Sequence, residues 1–305
     1  MVSWIEQYFY APTLLQKLIS WLLLPLSLIY CLVMKIRFMR TKVIDFDIPI
    51  ISVGNLSVGG SGKTPLVSAL AQRYDNSAII LRGYGRKSTG LHVISDAKNI
   101  LEDVDVSGDE AMIYAQKCPK SIVIVSEKRE QGIEKAKEMG AKILFLDDAY
   151  SKHQIKKLDI VIDVDTPNNF CLPSGPYRER HWRAKELLHV KENIDFRRKV
   201  ILKDATKKMF LVTAIARAER LDRFLPEIVG KKYFRDHHYF EKQELENILH
   251  VSGADSLLVT YKDYVKIKDF NLPLSLLDLE IELEEEFLYK IYSYYSDEVS
   301  KSNLL

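Results

Sequence analysis

Residues Ile48–Thr64 read IPIISVGNLSVGGSGKT, and the order of their types decides the fold. A short apolar, β-branched run, Ile48–Val53, passes through Gly54-Asn55 into a glycine-rich turn, after which Lys63-Thr64 open a stretch with helical spacing. Strand, glycine loop and helix in that order make a phosphate cradle. Glycines let backbone N–H groups curl around an anion, and the helix N-terminus adds positive potential at the same place. Gly59, Gly60, Ser61 and Gly62 are expected to wrap phosphates, with Lys63 reaching the β- and γ-phosphates and Thr64 holding Mg²⁺. The pattern G-x-x-x-x-G-K-[ST] is met except at its first position, where Ser57 stands. No Asn-Lys-x-Asp guanine motif occurs anywhere in the chain, which favours ATP over GTP.

Working outward, the strand type recurs at Ser77–Leu81, Ser121–Val125, Lys142–Leu146 and Leu158–Val164. Segments at helical spacing separate these runs: Thr64–Tyr74, Asp109–Lys117 and Arg129–Met139. Strands alternating with helices of this length predict a parallel, doubly wound α/β sheet. The strand at 142–146 runs into Asp147-Asp148, the usual second half of a P-loop metal site. A Pro- and Gly-containing loop with clustered Arg follows, and the runs Leu187–Val190 and Val200–Leu202 read as a hairpin or linker. Alternation restarts with Met209–Thr213, a helix from Glu219, a strand at Lys232–Phe234, a helix from Glu241 and a strand at Ser256–Val259. Leu277–Leu283 has the period of a half-exposed strand, so the glutamates between 280 and 286 read as a solvated face and helix start.

Composition narrows the class. At 305 residues, 47% hydrophobic and 28% charged, the chain is neither disordered nor collagen-like, and its length suits about two domains. Lys+Arg 44 against Asp+Glu 42 gives +2, far from the basic balance of a nucleic-acid binder. Cys31, Cys118 and Cys171 have no paired or metal-type spacing. They are expected to be small buried hydrophobes in a reducing cytosol, with no disulfide and no zinc site.

One local excess breaks this soluble pattern. Leu18–Met34 carries no charge, holds Pro25 near its middle, and is followed by Lys35, Arg37, Arg40 and Lys42. A span needs roughly 20 apolar residues, so the run is short for one, and it lacks the flanks of a secretory signal. Aromatics around it (Trp4, Tyr8, Trp21, Tyr30) and the basic flank favour a helix embedded in or lying on a membrane. A single span and a buried core helix are the alternatives.

The remaining polar motifs point to a small-molecule kinase. Ser107-Gly108-Asp109-Glu110 begins a helix, where Ser107 or Asp109 could serve only as a cap. Leu81–Arg86 (LRGYGR) runs from a strand end into a flexible basic loop fit for an anionic or sugar group. Leu172–Glu179 (LPSGPYRE) is a rigid loop with adjacent opposite charges, and Asp236-His237-His238 follows a strand, where ligands of open α/β sheets bind. The competing class is a membrane-switching P-loop ATPase acting through protein partners, whose loop reads K-G-G-x-G-K-T; here Val58 stands at the lysine.

In sequence order these motifs resemble the tetraacyldisaccharide 4'-kinase family of lipid A biosynthesis: GNLSVGGSGKTP from Gly54, RGYGR from Arg82, GDE from Gly108, LDD from Leu146, LPSGPYRE from Leu172, DHH from Asp236 and LVTYKDYVK from Leu258. The resemblance implies two Rossmann-like domains with parallel sheets joined by a β-hairpin, preceded by a helix that engages the cytoplasmic face of the bacterial inner membrane. On that reading the chain divides into a helical segment 1–42, a P-loop domain 43–184, a hairpin linker 185–203 and a smaller C-terminal domain 204–305. The implied reaction moves the ATP γ-phosphate to the 4'-hydroxyl of an acylated glucosamine disaccharide 1-phosphate, with no protein partner and no nucleic acid. Lys63 and Thr64 would bind ATP and Mg²⁺, Asp147 and Asp148 would complete the metal site, and Asp109 would be the base, assisted by His237. Arg82, Tyr84, Glu110, Arg178 and Glu179 would position phosphate or substrate. Where the family usually has Asp-Asp-Gly-aromatic-Gln, this chain has Asp147-Asp148-Ala149-Tyr150-Ser151.

Overall fold

The computed structural model describes residues 4–59, 62–182, 185–215, 218–235 and 238–302. Three helices open the chain: α1 (Trp4–Tyr10), α2 (Leu14–Leu22) and α3 (Leu24–Arg40). Strand β1 (Ile50–Gly54) and helix α4 (Lys63–Ala71) bracket the glycine loop. Next come β2 (Ser77–Leu81), β3 (His92–Asp96), α5 (Val104–Ser107), α6 (Asp109–Lys117), β4 (Ile122–Val125) and α7 (Arg129–Glu138). Strands β5 (Ile143–Asp147), β6 (Leu158–Ile162), β7 (Leu187–Val190), β8 (Phe196–Lys203) and β9 (Met209–Thr213) follow. The chain ends with β10 (Gly230–Tyr233), α8 (Lys242–Ser252), β11 (Ser256–Thr260), α9 (Tyr261–Ile267), β12 (Leu274–Leu283) and α10 (Glu285–Ser302). The fold is mixed α/β on parallel-dominated sheets, as the alternating pattern predicted.

Two compact units share the chain. One comprises Met1–Val67, Lys142–Phe196 and Leu283–Leu305, the other Ser68–Ala141 and Arg197–Glu282. In the first unit the strands lie in the order β5-β1-β6-β7, with β5–β1, β1–β6 and β6–β7 each parallel. Both β1 and β5 are buried along their whole length, which is why Ile50–Val53, broken only by Ser52, and Ile143–Leu146 read as apolar runs rather than alternating ones. The β1–β5 register sets Val53 beside Asp147, so the carboxyl end of β1, where the glycine loop begins, adjoins the Asp147-Asp148 pair. Helix α10 covers this unit with Phe287 and Ile291, and Tyr294 donates to the Ile50 carbonyl at 3.0 Å.

In the second unit β3, β4 and β2 lie side by side, and a five-stranded sheet has the order β10-β9-β11-β12-β8. Pairs β10–β9, β9–β11 and β11–β12 are parallel. Strand β3, absent from the sequence expectation, runs antiparallel to β4 with an irregularity between Val93 and Ser95. Its short run HVISD has too few apolar residues to stand out. The helix expected from Glu219 is a 3₁₀ helix, Ala218–Phe224. Leu187–Val190 and Val200–Leu202, read as a hairpin or linker, belong to β7 beside β6 and to β8 beside β12, with a tight turn at 191–195 between them. In β12 the first half is buried and only the part after Asp278 alternates.

The apolar N-terminal run is broken. Helix α2 ends at Leu22, Pro25 sits in the first turn of α3, and the two axes differ by 56°. Proline suits a first helical turn, where its missing N–H has no partner to lose. Among the described residues no single helix is long and apolar enough to cross a membrane, while the bent pair α2–α3 qualifies on length and composition. The core-helix alternative fails, because Leu18, Trp21, Leu22, Leu28 and Leu32 are exposed, Leu22 at 79%. The buried side chains of α2 and α3 are Gln16, Ser20, Ser27 and Met34.

The cysteine expectation is corrected in part. Cys31 of α3 and Cys171 form a disulfide across 140 residues of sequence, a pairing that no local spacing could reveal. Cys118 is the buried small hydrophobe foreseen, its thiol pushed up to about 11 by burial.

Candidate active site

The glycine loop leaves β1 through Gly54, whose hydrogens leave just enough room for Tyr150: a Cβ there would lie 3.1 Å from the Tyr150 Cβ. Gly59 and Gly62 take φ of 100° and 79°, a region that side-chain-bearing residues rarely enter. Gly60 and Ser61 lie outside the described residues. Helix α4 starts at Lys63 itself, so the lysine and Thr64 stand at a helix N-terminus, as the motif requires.

Four side chains of the first unit converge here. Lys63 Nζ donates to Asn55 Oδ1 at 3.0 Å and lies 3.5 Å from Asp148 Oδ1. Arg178 grips Asp148 with both terminal nitrogens and reaches Asn55 Oδ1 at 3.1 Å. Burial pushes the Asp148 carboxyl up, but Lys63 and then Arg178 outweigh it and leave the pKa below the ordinary carboxylate value. Asp148 adopts φ +49°, and its N–H donates to the Val53 carbonyl at 3.0 Å, which turns the side chain towards the loop. Asp147, the last residue of β5, is buried. Two cations, an amide and two carboxylates thus gather at the carboxyl ends of β1 and β5, an arrangement able to hold a polyphosphate once Lys63 and Arg178 exchange Asp148 for phosphate oxygens.

Asn55 and His153 went unassigned in the sequence. Asn55 stands inside a quoted motif, yet only the fold shows that it orients Lys63 and Arg178 together. His153 lies 3.5 Å from Glu179, and both are buried. Adjacent Arg178 and Glu179 therefore take separate partners: the first faces the loop, the second packs inward against His153.

The 171–178 loop also receives the N-terminal helices. Tyr8 donates to the Pro173 carbonyl at 3.0 Å, Ser20 to the Ser174 carbonyl at 2.6 Å, Ser27 to the Cys171 carbonyl at 2.9 Å and Tyr30 to the Arg178 carbonyl at 3.0 Å. Tyr10 reaches the carbonyl of Val58, one residue before Gly59.

The second unit holds the other expected site residues. Asp109 is the first residue of α6 and Gly108, at φ +78°, is its N-cap, so the cap is not supplied by the Asp109 side chain. Its carboxylate lies 3.0 Å from Lys266 Nζ, with both side chains nearly buried. Glu110 is half-buried beside it. Arg82 and Tyr84 are exposed on the loop leaving β2, Tyr84 at 70%. Arg86 stiffens that loop from within, donating to Ser88 Oγ at 3.1 Å and the Gly90 carbonyl at 2.6 Å and pairing with Glu127. His237 lies outside the described residues.

The fold and this loop define a class: α/β proteins in which a glycine loop joins the carboxyl end of a buried parallel strand to a helix. The chain belongs to the Tetraacyldisaccharide-1-P 4'-kinase family, whose model matches residues 19–199 and 187–295. It is 47% identical over 292 residues to the tetraacyldisaccharide 4'-kinase of Aliarcobacter butzleri, covering 92% of this chain and 93% of that one. To the enzyme of the same name from Helicobacter pylori strain HPAG1 it is 48% identical over 294 residues, covering 95% and 94%. LpxK from Aquifex aeolicus, solved in complex with ATP, shares the fold with a TM-score of 0.72 at 23% identity, over 91% of this chain and 99% of that chain. The protein is thus an enzyme of a kinase family of lipid A biosynthesis, the resemblance seen in its motifs.

Proposed function

We propose that this enzyme transfers the γ-phosphate of ATP to the 4'-hydroxyl of an acylated glucosamine disaccharide 1-phosphate at the cytoplasmic face of the bacterial inner membrane. The observation that carries the reading is the convergence of Lys63, Arg178, Asn55 and Asp148 at the mouth of the glycine loop. Phosphoryl transfer asks a protein chiefly for alignment and charge stabilisation, and two cations aimed at one spot supply both. Among the described residues no group of three or more His, Cys, Asp or Glu could hold a metal. Mg²⁺ fits this donor set nonetheless, since it is commonly held by one or two carboxylates together with substrate phosphates. Thr64, Asp147 and Asp148 would hold it, and when bound it neutralises charge on the phosphate oxygens.

Lys63 and Arg178 then orient the phosphates and meet the charge that develops on the transferred group. Asp109 takes the proton of the attacking hydroxyl, with His237 assisting, while Arg82, Tyr84 and Glu110 position the acceptor. The exposed leucines of α2 and α3 lie in lipid, where the acylated acceptor resides. Lys35, Arg37, Arg40 and Lys42 face anionic headgroups.

The test is transfer of labelled γ-phosphate to the lipid disaccharide in mixed micelles. Asp109→Ala should lower turnover by about 100- to 10,000-fold, the usual worth of general-base catalysis, with nucleotide binding intact. Wild-type turnover in that variant would remove Asp109 as the base. ATP hydrolysis that ignores the acceptor and rises with a protein partner would favour the ATPase reading instead.

A further inference from the structure

The motif TYKDYVK (260–266) has so far received no role, yet the fold gives it one within the second unit. Asp263 is completely buried and accepts hydrogen bonds from Thr213 Oγ1 and Thr260 Oγ1, each at 2.6 Å, and from the Ala214 N–H at 3.0 Å. These bonds fix the start of α9 to the end of β9. One turn later Val265 packs against Met112 and Ile113 of α6, fixing α9 against the helix that carries Asp109. Lys266 comes next. Its ammonium lies 3.0 Å from Asp109 Oδ2 and 3.4 Å from the backbone carbonyl of His238, the residue after His237.

We infer that Lys266 is a positioning residue for phosphoryl transfer, its ammonium holding the Asp109 carboxylate ionised and aimed while tethering the backbone carbonyl of His238 to the same point. This rests on the reading of Asp109 as the base. A lysine with three donors can bind a carboxylate and a carbonyl at once, and with its side chain only 8% exposed little water competes for it. An opposite charge at this distance favours the ionised form of a carboxylate, the form a base needs. Several other charged groups near α6 among the described residues are of the wrong sign or engaged elsewhere. Glu110 on α6, Asp105 on α5 and Asp96 on β3 carry the wrong sign, and Asp105 is held by Lys87 at 2.7 Å. His92 on β3 lies 3.8 Å from Glu102. On α9 itself, Asp263 is occupied with its threonines, whereas Lys262 sits four residues before Lys266.

The experiment compares Lys266→Met, Lys266→Gln and Lys266→Arg in the full chain, with transfer followed from pH 5 to 9 and nucleotide affinity measured separately. Lys266→Met and Lys266→Gln should lower kcat at least about tenfold with little change in the KM for ATP. They should also move the acidic limb of the rate profile to higher pH by about one unit, as expected when a carboxylate loses a neighbouring cation. Lys266→Arg should return the limb to its wild-type position. Glutamine keeps a donor for the His238 carbonyl but no charge, so it separates charge from packing if the methionine variant is poorly folded. A limb that stays in place in the glutamine variant, whether turnover falls evenly at every pH or not at all, overturns the inference. An inactive Asp109→Ala beside a wild-type-like Lys266→Gln sinks only the role of Lys266. An active Asp109→Ala sinks the base on which it rests.

Discussion

Helix α6 buries Ala111, Met112, Ile113, Tyr114 and Ala115, whereas the α2–α3 pair buries Gln16, Ser20, Ser27 and a single apolar residue, Met34, and leaves leucines outside. The two regions use opposite forces. Helix α6 is held by removing apolar surface from water, worth about 25 cal/mol per Å². The α2–α3 pair is attached by hydroxyls donating to carbonyls and by the Cys31–Cys171 bond. Such a helix pair gains no hydrophobic stabilisation from its outer face in water, and its exposed leucines are the surface that the proposed lipid contact would cover. On the proposed reading, helix polarity reports the medium on each side and not only the direction of the core.

The sharpest way to break the contrast is to change Leu18, Leu22, Leu28 and Leu32 together to Gln. At about 1.5 kcal/mol or more for each buried leucine, partitioning into anionic phospholipid vesicles should fall at least about 10,000-fold. Unchanged co-sedimentation with vesicles would move the lipid contact elsewhere. The middle-sized effect belongs to the other region. Ile113→Ala should cost about 3 kcal/mol in urea unfolding, as large-to-small core changes do, while Leu22→Ala stays within about 0.5 kcal/mol. Equal losses would erase the distinction between the two helices. The smallest effect is Ser27→Ala, which strips a donor from the Cys171 carbonyl and an acceptor from the Ser174 N–H. It should cost about 1–2 kcal/mol, read as faster proteolytic cleavage of the segment after α3 with the disulfide intact. An unchanged cleavage rate would leave the disulfide and the other hydroxyls to hold the pair.

Most of the α/β framework was legible because buried parallel strands such as β1, β5 and β6 are continuous apolar runs, a signal carried by adjacent residues. The glycine loop and Asp147-Asp148 were legible for the same reason, each being a local string. What escaped depends on partners remote in sequence. Strand β3 is defined by its neighbour β4 rather than by its own composition. The Cys31–Cys171 bond, the Asn55–Arg178 contact and the Lys266–Asp109 pair each join residues that only the fold brings together. The bend at Leu23 also went unread, since Pro25 was placed inside one apolar segment instead of at the start of a second.

The hydroxyls of Tyr8, Ser20, Ser27 and Tyr30 all end on main-chain carbonyls of residues 171–178. A carbonyl is present whatever the side chain, so the receiving loop is free to change most of its residues while the donors keep their grip. Mutational tolerance should therefore be lopsided across this junction: low at four hydroxyl-bearing positions on the helices, higher on the loop outside Cys171, Gly175 and Arg178.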